Sequence, residues 1–292
     1  MHNNFDLIFP LSCGFHCVMK DGMYGFVNEL QEIIVPLIYE RAFPFVDDYA
    51  MVFRKGLWGF IDIYGNEVVP LKYDSIFPFS DELACYCING CYGFVNKTGK
   101  EIVPPIYNDA QPFSCSYAKV KKDGKWGYID INGDVIIPFL YNDAHNCVDG
   151  LMVVNIGGHY DNDWGVTTGG KWCVLNAKGE CISRQYTFIT NFVDGYAKVN
   201  IGGRYENNDC FMGGIWGIVN SQGEESVSLK YEEISNVMEG LVKVKKHGKY
   251  GMINMCDDII IPIEYDYISP MSYGETFVVC DGKKMYIKNS EQ

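Results

Sequence analysis

The stretch "DGKWGYIDINGDVIIP" at residues 123–138 reuses a phrase: "KGLWGFIDIYGNEVVP" fills 55–70 and "DGMYGFVNELQEIIVP" fills 21–36. The aromatic residue of the aromatic–Gly pair falls at Tyr24, Trp58, Tyr92, Trp126, Trp172, Trp216 and Tyr250, in steps of 34, 34, 34, 46, 44 and 34 residues. One more step of 34 reaches Lys284 in the decayed copy "KKMYIKN", so the phrase is used eight times and the last copy is short.

Other positions keep the phase. Six residues past the motif Gly stand Gly65, Gly99, Gly133, Gly179 and Gly223; the first copy has Gln31 there and the seventh Asp257. Eleven past it stand Pro36, Pro70, Pro104, Pro138 and Pro262, and fourteen past it Tyr39, Tyr73, Tyr107, Tyr141, Tyr231 and Tyr265. The fifth copy departs: Cys173 replaces the motif Gly, Arg184 replaces Pro, and Tyr186 comes one residue early.

The local chemistry is β. Asp123-Gly124 lies between the alternating segments "YAKVKK" and "KWGYID", and Asp-Gly favours a type I′ turn whose twist matches the flanking strands. Asn89-Gly90 serves the same purpose one copy earlier. A second turn at Asn132-Gly133 feeds "DVIIP", where Pro138, having no N–H, is expected to end the ladder. No window has a sustained 3.6-residue period, so almost no helix is expected. The two-residue loop sets Lys121 opposite Trp126, Val120 opposite Gly127 and Ala118 opposite Ile129. One face is then small and apolar (Ala118, Val120, Gly127, Ile129). The other carries Lys119, Lys121, Trp126 and Tyr128, with lysine stems laid over rings. The motif Gly is expected to admit a neighbouring chain where a side chain would block it.

One copy cannot bury enough apolar surface to offset the entropy of ordering its backbone. Copies must therefore share faces, which is the logic of solenoids and propellers. The fold class expected is all-β: a tandem array of about eight 34-residue three-stranded antiparallel units forming one domain over residues 1–292. The arrangement favoured is an open, twisted, solenoid-like stack, with a closed propeller-like ring as the alternative. Thirty-four residues is short for a four-stranded blade, and no spare strand precedes Phe5 to close a ring.

The phased set "KWGYID…G…IIP…Y" resembles the WG-repeat proteins, a family common in bacteria, from about Phe5 to Lys288. What the resemblance implies is a β-repeat scaffold that mediates interactions, with no catalytic residues to carry onto this chain.

Composition narrows function. Hydrophobic residues are 48% of the chain and formal net charge is −13, which argues against nucleic-acid backbones and anionic membranes as partners. The partner expected is another protein, and a basic one would suit this charge. No apolar run is long enough to span a bilayer. "MHNNFDLIFPLSCG" has no basic segment ahead of its apolar patch, so a cytoplasmic location and reduced thiols are expected for the twelve cysteines.

The strongest pointer to a site is a pair of insertions. In the fifth and sixth copies the short turn becomes "NIGGHYDNDWGVTTGG" (155–170) and "NIGGRYENNDCFMGG" (200–214), which resemble each other. The long hairpins they form, 155–171 and 200–215, share one phase and should project side by side. Per-repeat insertions commonly mark a binding face. Tyr160, Asp161, Asp163, Trp164, Arg204, Tyr205, Glu206 and Asp209 are the candidate binding residues, since exposed aromatics among charges suit interface hot spots. The other reading is that the hairpins only extend the sheet and pack on each other.

Metal, cofactor and catalytic signals are weak. Cys85, Cys87 and Cys91 crowd one hairpin without a C-x-x-C or a nearby histidine, so small packing residues or loosely exposed thiols are expected and not zinc. Cys13, His16 and Cys17 form a similar weak group. The ladder Trp58, Tyr92, Trp126 reads as core before it reads as a sugar platform. There is no P-loop, G-x-G-x-x-G, H-E-x-x-H or G-x-S-x-G. The expectation is a non-enzymatic interaction scaffold without a cofactor. Its alternatives are an acidic inhibitor of the immunity type, acting on a basic protein, and a carbohydrate- or small-ligand-binding module.

Overall fold

At Asp123 and Gly124 φ is +50° and +78°, the pair of left-handed residues that a type I′ turn requires. The register that follows is the expected one: Lys121 opposite Trp126, Val120 opposite Gly127, Ala118 opposite Ile129. The structure, a computed structural model, describes residues 5–163, 165–207 and 210–288, and among them every regular element is a strand. The chain forms two compact bodies, Met1–Phe139 and Leu140–Gln292.

The first body is built of antiparallel four-stranded meanders. The third sheet is representative: Ser75–Ile76, Leu83–Ile88, Cys91–Asn96 and Glu101–Tyr107, hydrogen-bonded in that order. Each sheet thus has the three expected strands and a fourth, of two residues, contributed by the corner after the preceding repeat's Tyr. The corner strand is fixed at both ends. Ile76 pairs with Tyr86 and Ser75 with Cys87, while Asp74 accepts a 2.7 Å hydrogen bond from the Asn89 amide in the turn. Asp6, Glu40 and Asn108 hold the turns at Asp21, Lys55 and Asp123 in the same way.

Proline does not end the ladder. Pro70 lies inside the strand Glu67–Tyr73. Its missing N–H falls in a bulge, where pairing jumps from Trp58–Tyr73 to Phe60–Val69. The bulge folds over the motif Gly. A Cβ on Gly59 would lie 2.5 Å from the Val69 oxygen and 2.9 Å from the Leu71 nitrogen. The close neighbour that glycine admits is therefore its own repeat's third strand. The phased Gly133, at φ +88°, instead sits against the preceding repeat, where a Cβ would come within 2.8 Å of Val103.

Within each body consecutive sheets stack and share a core. Cys17, Phe26 and Val35 of the first sheet pack with Phe45, Val52 and Ile61 of the second. Phe60, Val69 and Tyr73 of the second pack with Ala84, Tyr86 and Val95 of the third. A sheet buries both faces, so each repeat finds its missing apolar partners in the adjoining ones. Tyr128 and Trp126 are buried, and the ammonium groups of Lys119 and Lys121 lie 4.7 and 5.4 Å from the Trp126 ring.

In the second body the fifth repeat has no regular third strand. Cys173 carries the Cβ that the bulge elsewhere forbids, and the segment after it is displaced. Only the bridges Trp172–Tyr186 and Leu175–Cys181 remain, and the Ser183 hydroxyl accepts the Val174 amide at 2.9 Å. Cys173 in place of Gly and the early Tyr186 are one structural change. The last sheet holds Tyr267–Ile268, Glu275–Cys280 and Lys283–Lys288, the short copy expected from the sequence.

Candidate functional site

Both insertions form hairpins in the second body, and both are built on the same joint. The first has strands Met152–Asp161 and Val166–Leu175. The second continues Tyr196–Ile201 and Ile215–Asn220 into a small separate sheet of Arg204–Asn207 and Cys210–Met212. At each joint the two strands cross on glycines. A Cβ on Gly157 would reach the Gly170 Cα at 3.9 Å, and one on Gly202 the Gly214 Cα at 3.7 Å.

A buried asparagine pins each crossing. Asn155 accepts the Gly158 amide at 2.9 Å and donates to the Gly169 carbonyl at 3.2 Å. Asn200 accepts the Gly203 amide at 2.9 Å and donates to the Gly213 carbonyl at 3.1 Å. Both side chains are fully buried. The corner residue adds a further tie: Asn142 holds the Gly157 amide at 2.9 Å and Thr187 holds that of Gly202 at 3.0 Å. The shared "NIGG…GG" is therefore a joint that aims each hairpin, and Asn155, Asn200 and Thr187 are the residues that sequence reasoning passed over. The signal for the two asparagines was the repetition of Asn at the first position of both insertions.

The candidate residues divide. Asp161, Arg204 and Tyr205 line one cleft of about 340 Å³ with Thr167, Thr168 and Thr187. Tyr160 is exposed beside it, opposite Thr167 in the ladder. Asp163 and Glu206 are exposed nearer the tips, and Asp161 turns its carboxylate to the Asp163 amide at 3.0 Å. Tyr205 does not stand free. Its ring meets Phe211 at 5.1 Å and Phe188 at 6.0 Å, with Phe188 stacked on Phe211 at 4.7 Å. Burial, with Asp143 nearby, raises its phenol above the usual range. Thr167 is buried and donates to Asp143 at 2.7 Å. The cleft thus has a hydroxyl-rich floor, one aromatic wall, and an acid and a guanidinium at its margin. Trp164 and Asp209 lie outside the described residues.

Cys85 and Cys87 are buried core residues opposite Phe94 and Tyr92, not loosely exposed thiols. Burial, aided by Asp109 and Cys87, pushes the Cys85 thiol up to about 12. Among the described residues no group of three or more His, Cys, Asp or Glu is placed to hold a metal ion.

The profile of a family described as "WG containing repeat" matches the chain seven times, at residues 24–58, 58–90, 92–126, 126–160, 174–205, 216–250 and 250–284. No curated protein matches the chain. Among solved structures, a eukaryotic initiation factor is 9% identical over 92% of this chain and 79% of its own, with a TM-score of 0.45. Hsv2 of Kluyveromyces marxianus is 8% identical over 91% and 85%, with a TM-score of 0.37. The Pan2 WD40 domain of Neurospora crassa is 11% identical over 85% and 87%, with a TM-score of 0.33.

Proposed function

The chain belongs to the WG containing repeat family, and from that premise we propose that it is a non-catalytic interaction scaffold that binds another protein through its paired hairpins. The observation that carries this reading is the cleft in which Asp161, Arg204 and Tyr205 meet three threonines. Two neighbouring repeats have acquired the same joint, and residues of both hairpins line one cleft. A packing element alone would not need the exposed Tyr160, Asp163 and Glu206. The net charge of −13 supports a basic partner, as an inhibitor of the immunity type would have, and charge of one sign also steers association.

The test removes the hairpins without disturbing the repeats. Deleting 158–169 and 203–213 joins Gly157 to Gly170 and Gly202 to Gly214 and keeps the pairings of Asn155 with Trp172 and Asn200 with Trp216. Both junctions are Gly-Gly pairs in the place of Asn89-Gly90, so ordinary type I′ turns re-form. Partners recovered from native extract by the full chain should be lost by this variant at unchanged circular dichroism, and should dissociate as salt rises. Equal recovery of the same partner by both proteins would refute the reading.

A further inference from the structure

A pocket of about 330 Å³ opens in the first body where the corner of the second repeat meets that of the third. Phe43, Tyr49, Met51, Phe60 and Phe79 line it, with Asp47 as the charged residue of the lining. Phe79 is the hub, its ring 4.4 Å from Phe60 and 5.6 Å from Tyr49. Phe43 remains half exposed at the mouth. The pocket lies in the other body from the hairpin cleft and does not depend on it.

The same joint recurs 192 residues later, since Trp58 and Tyr250 hold equivalent places. There Ser235, Leu241, Lys243, Met252 and Met271 stand for Phe43, Tyr49, Met51, Phe60 and Phe79, around a smaller pocket of about 190 Å³. The repeat thus generates a pocket at this joint and the sequence specialises it. In the later copy a lysine of the chain stands in the lining: Lys243, whose ammonium lies 5.6 Å from the Tyr250 ring. In the earlier copy that position is the neutral Met51, the walls are aromatic, and a carboxylate is in the lining.

Aromatic faces with a nearby carboxylate favour a cation that carries apolar substituents, because the rings replace little hydration and the acid supplies the counter-charge. The rings already receive one cation from within: the Lys97 ammonium lies 5.7 Å from Tyr49 and 6.0 Å from Phe79, held by Glu82 at 2.9 Å. We propose that the pocket of Phe43, Asp47, Tyr49, Met51, Phe60 and Phe79 binds a small organic cation of the alkylated-ammonium class.

The test titrates the full chain with benzyltrimethylammonium and with neutral benzyl alcohol, followed by calorimetry and NMR. The cation should bind about tenfold more tightly than the alcohol. Asp47→Asn, which keeps a residue tolerant of the left-handed backbone at φ +48°, and Phe43→Ala, at an exposed position, should each weaken it about fivefold with melting curves unchanged. Lys97→Met removes a competing charge and should strengthen cation binding while leaving the alcohol unaffected. Equal affinity for cation and alcohol, insensitivity to both Phe43→Ala and Asp47→Asn, or no saturable binding up to about 20 mM would each overturn the proposal.

Discussion

The hydroxyl of Tyr231 donates a 2.7 Å hydrogen bond to the carboxylate of Asp257, a residue of the next repeat that stands where five others carry glycine. Lys230 donates to the same carboxylate at 2.6 Å, and the Ser228 amide donates to it at 3.3 Å. The repeat has exchanged a conformationally free residue for one held at φ +69°, and gains three donors from its neighbour.

Asp257→Ala leaves a partly buried Tyr231 hydroxyl without its acceptor and should cost about 2 kcal/mol in urea unfolding at pH 7. Burial opposes ionisation of Asp257, and Lys230, Tyr231 and Ser228 overcome it, so its pKa lies below the usual carboxylate value. A depressed pKa gives stability that is present above the unfolded value and lost as pH falls through the folded one. The gap between wild type and Asp257→Ala should therefore close in acid, below about pH 4.

Gly59 and Cys173 occupy one repeat position with opposite surroundings. Gly59→Ala drives a methyl group into the backbone of Val69 and Leu71 and should cost about 3 kcal/mol by thermal or urea melts. Cys173→Gly vacates a buried site whose third strand is already displaced, and should cost only about 1 kcal/mol.

Asn155→Ala and Asn200→Ala each orphan a buried glycine amide and release the carbonyl of an exposed glycine at a crossing. Each should cost about 2 kcal/mol. Amide exchange should quicken in the affected hairpin and not in the first body; a uniform change would mean the asparagines do not act locally.

Burial pushes the thiols of Cys17 and Cys85 up to about 12 from an ordinary 9.0, and that of Cys173 as well, with Cys181 contributing. The unfolded chain releases these protons first, so stability is full below pH 9 and falls as pH rises beyond it. Urea midpoints should be flat from pH 7 to about 8.5 and decline above, and Cys85→Ala should lessen the slope.

The period, the type I′ turns and the two faces of each sheet were legible because Asp-Gly and strict alternation each have one local solution. The corner strands were not, since two residues such as Ser75 and Ile76 carry no periodicity. Pro70 misled for a related reason. Its lack of an N–H is a local fact, but whether that ends a strand depends on the bulge over Gly59, which only the paired strand reveals. At the hairpins the position of the insertions was readable, and so was their likeness. That Tyr205 turns inward to Phe188 and Phe211, and that Asn155 and Asn200 carry the joints, required three dimensions. The pocket at Phe43 was invisible because its residues come from two successive repeats.

The corner strand also sets where such a chain can be cut and rejoined. Because Ser75–Ile76 belongs to the sheet that follows it, a splice just before Asp74 carries a whole sheet, with the carboxylate that clasps its own hairpin. A splice at the Trp-Gly pair severs one. Gene duplications that lengthened this array without scrambling it had breakpoints to respect, and a designer who wishes to add or remove copies inherits the same rule.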